Sequence, residues 1–222
     1  MSFDTIELRR YATRPGKRDV LIELFEREFV ESQEALGMVP VGHYRDLDDP
    51  DTFVWFRGFP EMRKRAAALQ EFYRRSPVWK ENRDAANATI SDSDNVLLLK
   101  SARPESCFDL YGLNRRPEAE KGPSFVGLAI FMQEAQPSVA FVHRFEADIL
   151  PSLRENAERI AYFVTDERSN QFPALPVREG EHALVVAGVC RGTDALDTFS
   201  GALAGCPCEV LRLEPGARSL FR

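Results

Sequence analysis

Histidine is the scarcest catalytic residue type in this 222-residue chain, with three copies: His43, His143 and His182. Their spacing forms no HExxH or other metal-binding pair, and none adjoins a recognisable nucleophile motif, so no metal is expected. Cysteine is nearly as sparse. Cys107, Cys190, Cys206 and Cys208 match no zinc framework of paired CxxC units, so four free thiols in a reducing cytoplasm are expected, with Cys206-Pro207-Cys208 as a structural turn. No glycine-rich phosphate loop is present; Gly180, Gly188, Gly192, Gly201 and Gly205 stand alone, which calls for no nucleotide or other cofactor. Basic charge is not in excess either. The formal net charge of −6 gives no electrostatic footprint for nucleic acid, and the local run Arg63, Lys64, Arg65 with Arg74 and Arg75 reads as the solvated face of a helix. No secretory apolar core opens the chain, and no stretch approaches the roughly 18 apolar residues of a membrane span. A cytoplasmic protein with no membrane partner is the expectation.

Apolar residues are plentiful in total: 44% of the chain, including sixteen Phe. The length suits two modules better than one, since domains commonly run about 100 to 150 residues. Residues 3–11 alternate as a half-buried strand does, and Pro15-Gly16 marks a turn. From Lys17 to Leu36, Val20, Leu21, Leu24, Phe25 and Phe29 recur at helical spacing, and Gly37 is placed to end that helix. Strands follow at 39–45 and 52–59, joined by the Asp48-Asp49-Pro50 turn. Helices are expected at 61–73 and 78–88, and a strand at 95–100.

Strand, helix, strand, strand, helix, strand is the split βαβ order of a ferredoxin-like unit. Residues 101–123, with Pro104, Pro117 and Pro123, read as a linker. The order then recurs over 124–222: strand 125–132, helix 138–156, strands 159–165 and 183–190, helix 195–203, strand 209–213. Each half closes on a matching tail, V-L-L-L-K-S-A-R from Val96 and V-L-R-L-E-P-G-A-R from Val210, which supports a duplication. The expected fold class is α+β, two tandem ferredoxin-like units over 1–100 and 124–222.

Four segments of the first half carry a family likeness: I-E-L-R-R-Y (Ile6 to Tyr11), P-G-K (Pro15 to Lys17), F-V-W-F-R-G-F (Phe53 to Phe59) and P-V-W-K (Pro77 to Lys80). Together they resemble a NIPSNAP domain, strongly over residues 3–100 and weakly over 124–222, where L-R-L-E-P-G-A-R-S-L (Leu211 to Leu220) is similar to the family's closing strand. The resemblance implies a dimeric α/β-barrel-type arrangement, in which two ferredoxin-like sheets cover each other, here both supplied by one chain. It implies no particular reaction. The second half departs from the pattern where F-V-G-L-A-I-F-M (Phe125 to Met132) replaces a polar strand.

Candidate site residues follow from that asymmetry. Glu7, Arg9 and Tyr11 share one face of the first strand, and Phe53, Trp55 and Arg57 one face of the third; pointed into a barrel, they would bring Glu7 and Tyr11 near Arg57 and Trp55. Buried, such a cluster either fixes the sheet by pairing Glu7 with Arg57 or orients a ligand. In the second case Tyr11, Tyr44, Trp55 and Trp79 would stack on a planar compound and Arg9 or Arg57 would bind its acidic group. His43 is the one histidine expected within that wall. Glu7, Arg9, Tyr11, His43, Trp55 and Arg57 are therefore the candidate binding residues, for a small aromatic or anionic ligand. No motif identifies an enzyme. A small-molecule-binding, self-associating barrel leads; a cofactor-free oxygenase or isomerase for an aromatic or polyketide-like compound and a non-catalytic interaction protein with a filled barrel are the alternatives.

Overall fold

The computed structural model describes residues 3–115 and 124–222. Strand β1 (Thr5–Thr13) leads into α1 (Arg18–Leu24), which runs on through a π-helical turn at Phe25–Phe29 into α2 (Val30–Glu34). Gly37 ends this helix with φ +78°, a conformation few side chains tolerate. Hairpin strands β2 (Val39–Asp46) and β3 (Thr52–Phe59) follow. Helix α3 (Met62–Gln70) has its own π-helical turn, Glu71–Arg75, and α4 (Pro77–Thr89) starts where Ser76 accepts a hydrogen bond from the Trp79 amide and Pro77 occupies the first turn. Strand β4 (Ile90–Ser101) completes the half. The second half contains β5 (Ser124–Gln133), α5 (Val139–Arg144), a π-helical turn (Phe145–Ile149), α6 (Leu150–Arg154), β6 (Arg159–Thr165), β7 (His182–Arg191), α7 (Gly192–Gly201) and β8 (Glu209–Pro215).

The strands close into one antiparallel barrel in the order β1-β3-β2-β8-β5-β7-β6-β4, with β4 returning to β1. Each half contributes four adjacent strands in the same relative order, and two short seams, β2 with β8 and β4 with β6, join the halves. Closure leaves no unpaired sheet edge between them. No helix among the described residues is long and apolar enough to cross a membrane.

The barrel interior is apolar and packed. Ile6, Leu8, Val54, Phe56, Leu97 and Leu99 from the first half meet Val126, Leu128, Val185, Ala187, Leu211 and Leu213 from the second. Strand periodicity therefore sends Glu7, Arg9 and Tyr11 the other way, outward and under the helices, correcting the expectation that this face lines the barrel. Charges inside a closed apolar barrel would be costly, whereas beneath a helix layer other side chains meet them. Tyr44 is corrected oppositely: it points into the barrel and donates to the Phe221 carbonyl at 2.9 Å, on the other face of the sheet from Tyr11 and Trp55. Within the segment expected as a linker, Phe108 is buried in the interior against Phe56, Phe163 and Phe221; residues 116–123 lie outside the described residues.

Candidate functional site

Glu7 faces outward from the middle of β1, flanked by β3 and β4, and is completely buried. Its register partner on β3 is Arg57, so the two meet across the ladder as the sequence pattern anticipates. Arg57 donates from Nε (2.9 Å) and Nη2 (2.6 Å) to Glu7 Oε2, and Arg9 Nη1 donates to the same oxygen at 3.0 Å. Arg65, from α3, donates from Nε to Oε1 at 2.7 Å, and its Nη2 lies 2.7 Å from that oxygen, paired by charge without hydrogen-bond alignment. Arg65 was expected on a solvated face. Arg63 and Lys64 do face solvent, but Arg65 shares the buried stripe of Ala68, Leu69 and Phe72, three, four and seven residues on, a spacing already visible in the sequence.

Three buried guanidiniums thus surround one carboxylate, leaving an excess of two positive charges. Burial by itself would raise the Glu7 carboxyl, but Arg57, Arg9 and Arg65 together hold it well below the usual carboxylate range. Burial lowers Arg65 despite Glu7, but an arginine keeps its charge in a protein. The remaining donors are partly placed. Arg57 Nη1 donates to Gln33 Oε1 (3.0 Å) and Tyr73 Oη (3.3 Å), and Arg9 Nε donates to Tyr11 Oη (2.7 Å). Among the described residues, Arg9 Nη2 and Trp55 Nε1 are buried with no hydrogen-bond partner. Aromatic faces steady the cations: Arg57 lies 4.9 Å and Arg9 5.7 Å from the Trp55 ring.

Beside this cluster, between sheet and helices, is a cavity of about 410 Å³. Tyr11, Phe53 and Trp55 line it from the sheet, and Phe25, Phe29, Gln33, Phe72, Tyr73 and Trp79 from the helices; Arg74 and Arg83 also border it. A further stretch of wall, Phe172, Ala174, Leu175 and Pro176, comes from the loop joining β6 to β7 in the second half. The π-helical turns carry much of the helix wall, since Phe25, Phe29, Phe72 and Tyr73 all lie on them.

Residues 6–103 match the NIPSNAP family model. This part of the chain is similar to a NIPSNAP domain. A NIPSNAP domain protein of uncharacterised function from Burkholderia xenovorans is 16% identical and covers 47% of this chain and 99% of its own, with a TM-score of 0.41. Over nearly the full length, the chain shares its fold with two proteins described as proposed monooxygenases. The one from Lactobacillus acidophilus NCFM is 10% identical, with a TM-score of 0.58 over 96% of this chain and 94% of that one. The one from Fusobacterium nucleatum is 9% identical, also at 0.58, over 96% and 93%. Such low identity shows the fold alone. Comparison with curated proteins gives no match.

Within the NIPSNAP half, the structure brings Glu7, Arg9, Tyr11, Trp55 and Arg57 together but not His43. His43 is on the helix side, yet it does not line the cavity; its Nε2 is 2.6 Å from Glu26 Oε1 and its ring 5.3 Å from Phe25. Ser219 Oγ donates to the His43 carbonyl at 2.7 Å, tying down the C-terminal tail. Burial pulls the imidazole below its ordinary range, against the pull of Glu26. Arg65, Gln33 and Tyr73 complete the cluster, together with Asn170 of the second half, whose Oδ1 accepts from Arg65 Nη1 at 3.0 Å. Arg65 could have been found by helical spacing; nothing in the sequence marked Gln33, Tyr73 or Asn170. In the second half the corresponding gap between helix and sheet is occupied at Gly127 and Gly188. A Cβ on Gly127 or Gly188, paired across β5 and β7, would approach the Phe199 ring to 2.3 or 2.5 Å, so that ring fills the helix–sheet gap.

Proposed function

We propose that the protein binds a small aromatic anion in the cavity of its NIPSNAP half, with Arg9 and Trp55 holding the acidic group and Tyr11, Tyr73 and Trp79 flanking the ring. One observation carries this reading: among the described residues, the buried donors Trp55 Nε1, on the cavity wall, and Arg9 Nη2, behind it, lack partners. The Arg9 guanidinium lies 5.4 Å from the Tyr11 ring and 5.7 Å from the Trp55 ring, beside an excess of buried positive charge. An unpaired buried donor costs on the order of 1 to 3 kcal/mol, and a ligand oxygen accepting from both would recover it. In this reading Glu7 and Arg57 hold the floor and do not touch the ligand.

A reading as a cofactor-free oxygenase or isomerase draws on the fold shared with proteins described as proposed monooxygenases, and on the Tyr11 phenol at the cavity wall. Burial raises that phenol despite Arg9, which suits a proton donor better than a base. The interaction-protein reading has the packed barrel interior in its favour but leaves the cavity unused.

We also read the two halves as diverged split βαβ units over 1–100 and 124–222. Their strand orders agree, and Glu26 meeting His43 on β2 is mirrored by Glu146 meeting Tyr162 on β6 at 2.8 Å. Self-association would use outer helix surfaces, and free thiols suit a reducing cytoplasm.

Native mass spectrometry of protein purified from its own host tests the binding reading, followed by calorimetric titration of any retained compound and of 4-hydroxybenzoate as a probe. Trp55→Phe removes the unpartnered N–H together with part of a buried ring packed on Tyr11 and Phe25. It should therefore weaken binding of 4-hydroxybenzoate by about 0.5 to 1.5 kcal/mol more than it weakens binding of phenol, which lacks the acidic group. An equal change for the two compounds in that variant, or no binding by the intact protein, would discard the proposed site. Oxygen uptake with the retained compound would favour the enzyme.

A further inference from the structure

The cavity has a wall from outside its own half. The loop between β6 and β7 is anchored at both ends. Arg168 pairs with Asp166 and, at 2.8 Å, with Asp4, while the Arg178 amide donates to the Val96 carbonyl at 2.9 Å. Between these anchors, residues 170–176 cross over the cavity of the NIPSNAP half. Their only hydrogen bond to that half among the described residues is Arg65 Nη1 to Asn170 Oδ1. Asn170 also holds the tip's shape: its Oδ1 accepts from the Phe172 amide (3.1 Å) and its Nδ2 donates to the Leu175 carbonyl (2.9 Å). Phe172 lies nearly parallel to Tyr73, at 26° and 6.2 Å between ring centroids, and is buried beside the cavity.

From this arrangement we infer that the second half gates the binding site of the first. The 170–176 tip opens and closes over the cavity, Asn170 latches it to Arg65, and Phe172 selects flat, aromatic ligands by completing the wall opposite Trp55 and Trp79. The physical reason lies in how few attachments the tip has. A segment held by one intermodular hydrogen bond and a few apolar side chains, between firmly anchored ends, opens at low cost, whereas barrel strands do not. The latch rests on a guanidinium of the charged cluster, so closure and charge recognition meet at one residue. This also gives the second half a use consistent with its own filled helix–sheet gap. The selectivity part rests on the binding reading; the gate does not.

Both tryptophans of the chain, Trp55 and Trp79, line the cavity, so intrinsic fluorescence reports its accessibility without any ligand. Acrylamide quenching should increase about twofold or more in Asn170→Ala, which loses the acceptor for Arg65, with circular dichroism unchanged. Equal quenching in Asn170→Ala and the parent overturns the gate. For selectivity, titrations compare 4-hydroxybenzoate with cyclohexanecarboxylate. Phe172→Ala should reduce the preference for the aromatic acid by about two- to tenfold; an unaltered preference removes Phe172 from that role. If neither acid binds the parent protein, the binding reading and the assigned selectivity both fail, and quenching alone decides the gate.

Discussion

Glu7 is the residue on which the first half's interior electrostatics turn. It is the only carboxylate paired with Arg9, Arg57 or Arg65 among the described residues, so Glu7→Gln would leave three buried guanidiniums without a counter-charge. Breaking a buried ion pair from one side costs about 3 to 5 kcal/mol, and a loss of that size in urea unfolding is expected. A loss below about 1 kcal/mol would mean that water reaches the cluster and that it behaves like a surface pair. His43 makes a different prediction. Burial lowers its folded pKa below the ordinary 6.5 even though Glu26 pulls upward, and Arg115 and Arg45 add to the lowering. The unfolded chain therefore binds the proton more readily, so this contribution is complete above 6.5 and is lost as pH falls through the folded value. Glu26 and Glu7, both held below 4.5, act in the same direction at lower pH. The urea midpoint should fall between about pH 7 and about pH 5 in the parent and less so in His43→Asn; a rise over that range would contradict the assignment.

At the scale of the element, small residues decide which half has room. Phe199 of α7 lies flat on Gly127 and Gly188, and adding a methyl at either glycine drives it into the ring. Gly127→Ala should destabilise the protein by about 1 to 3 kcal/mol, the usual cost of overpacking, as judged by thermal unfolding. If it were neutral, the second half's gap would be looser than its contacts indicate. The NIPSNAP half has no such plug. Its aromatic side chains, placed by two π-helical turns, ring a space instead of filling it. The cysteines play no part there: Cys206 and Cys208 pack against the second half's core, and burial pushes the Cys208 thiol up to about 11, away from thiolate reactivity.

For the whole molecule, each half's sheet has an apolar inner face that the other half covers, with Phe108 between them. Expressed alone, residues 1–103 should self-associate, because exposing Ile6, Leu8, Val54, Phe56, Leu97 and Leu99 to water costs roughly 25 cal/mol for each Å² of apolar surface. Light scattering checks this; a stable monomer would show that the halves are independent. The fragment would also lack the Phe172 wall of the cavity.

The element order, the hairpin at 39–59, the helix stop at Gly37 and the pairing of Glu7 with Arg57 could all be read from the sequence. Each depends on local periodicity, turn chemistry or register, which neighbouring residues set on their own. Which face of β1 points inward could not be read, because a strand with Ile6 and Leu8 on one side and Glu7, Arg9 and Tyr11 on the other is compatible with either until the sheet closes. Barrel closure then gave the interior to the apolar side and sent the charged side under the helices. Arg65 lay within reach of helical spacing, but Asn170 and Phe172 are more than a hundred residues from Glu7 and meet the site only because the β6 to β7 loop is laid across it. Alternation along a strand thus determined which residues travel together, and the tertiary structure decided what they face, since burial and charge balance are properties of the closed barrel and its helix layer and of no single segment.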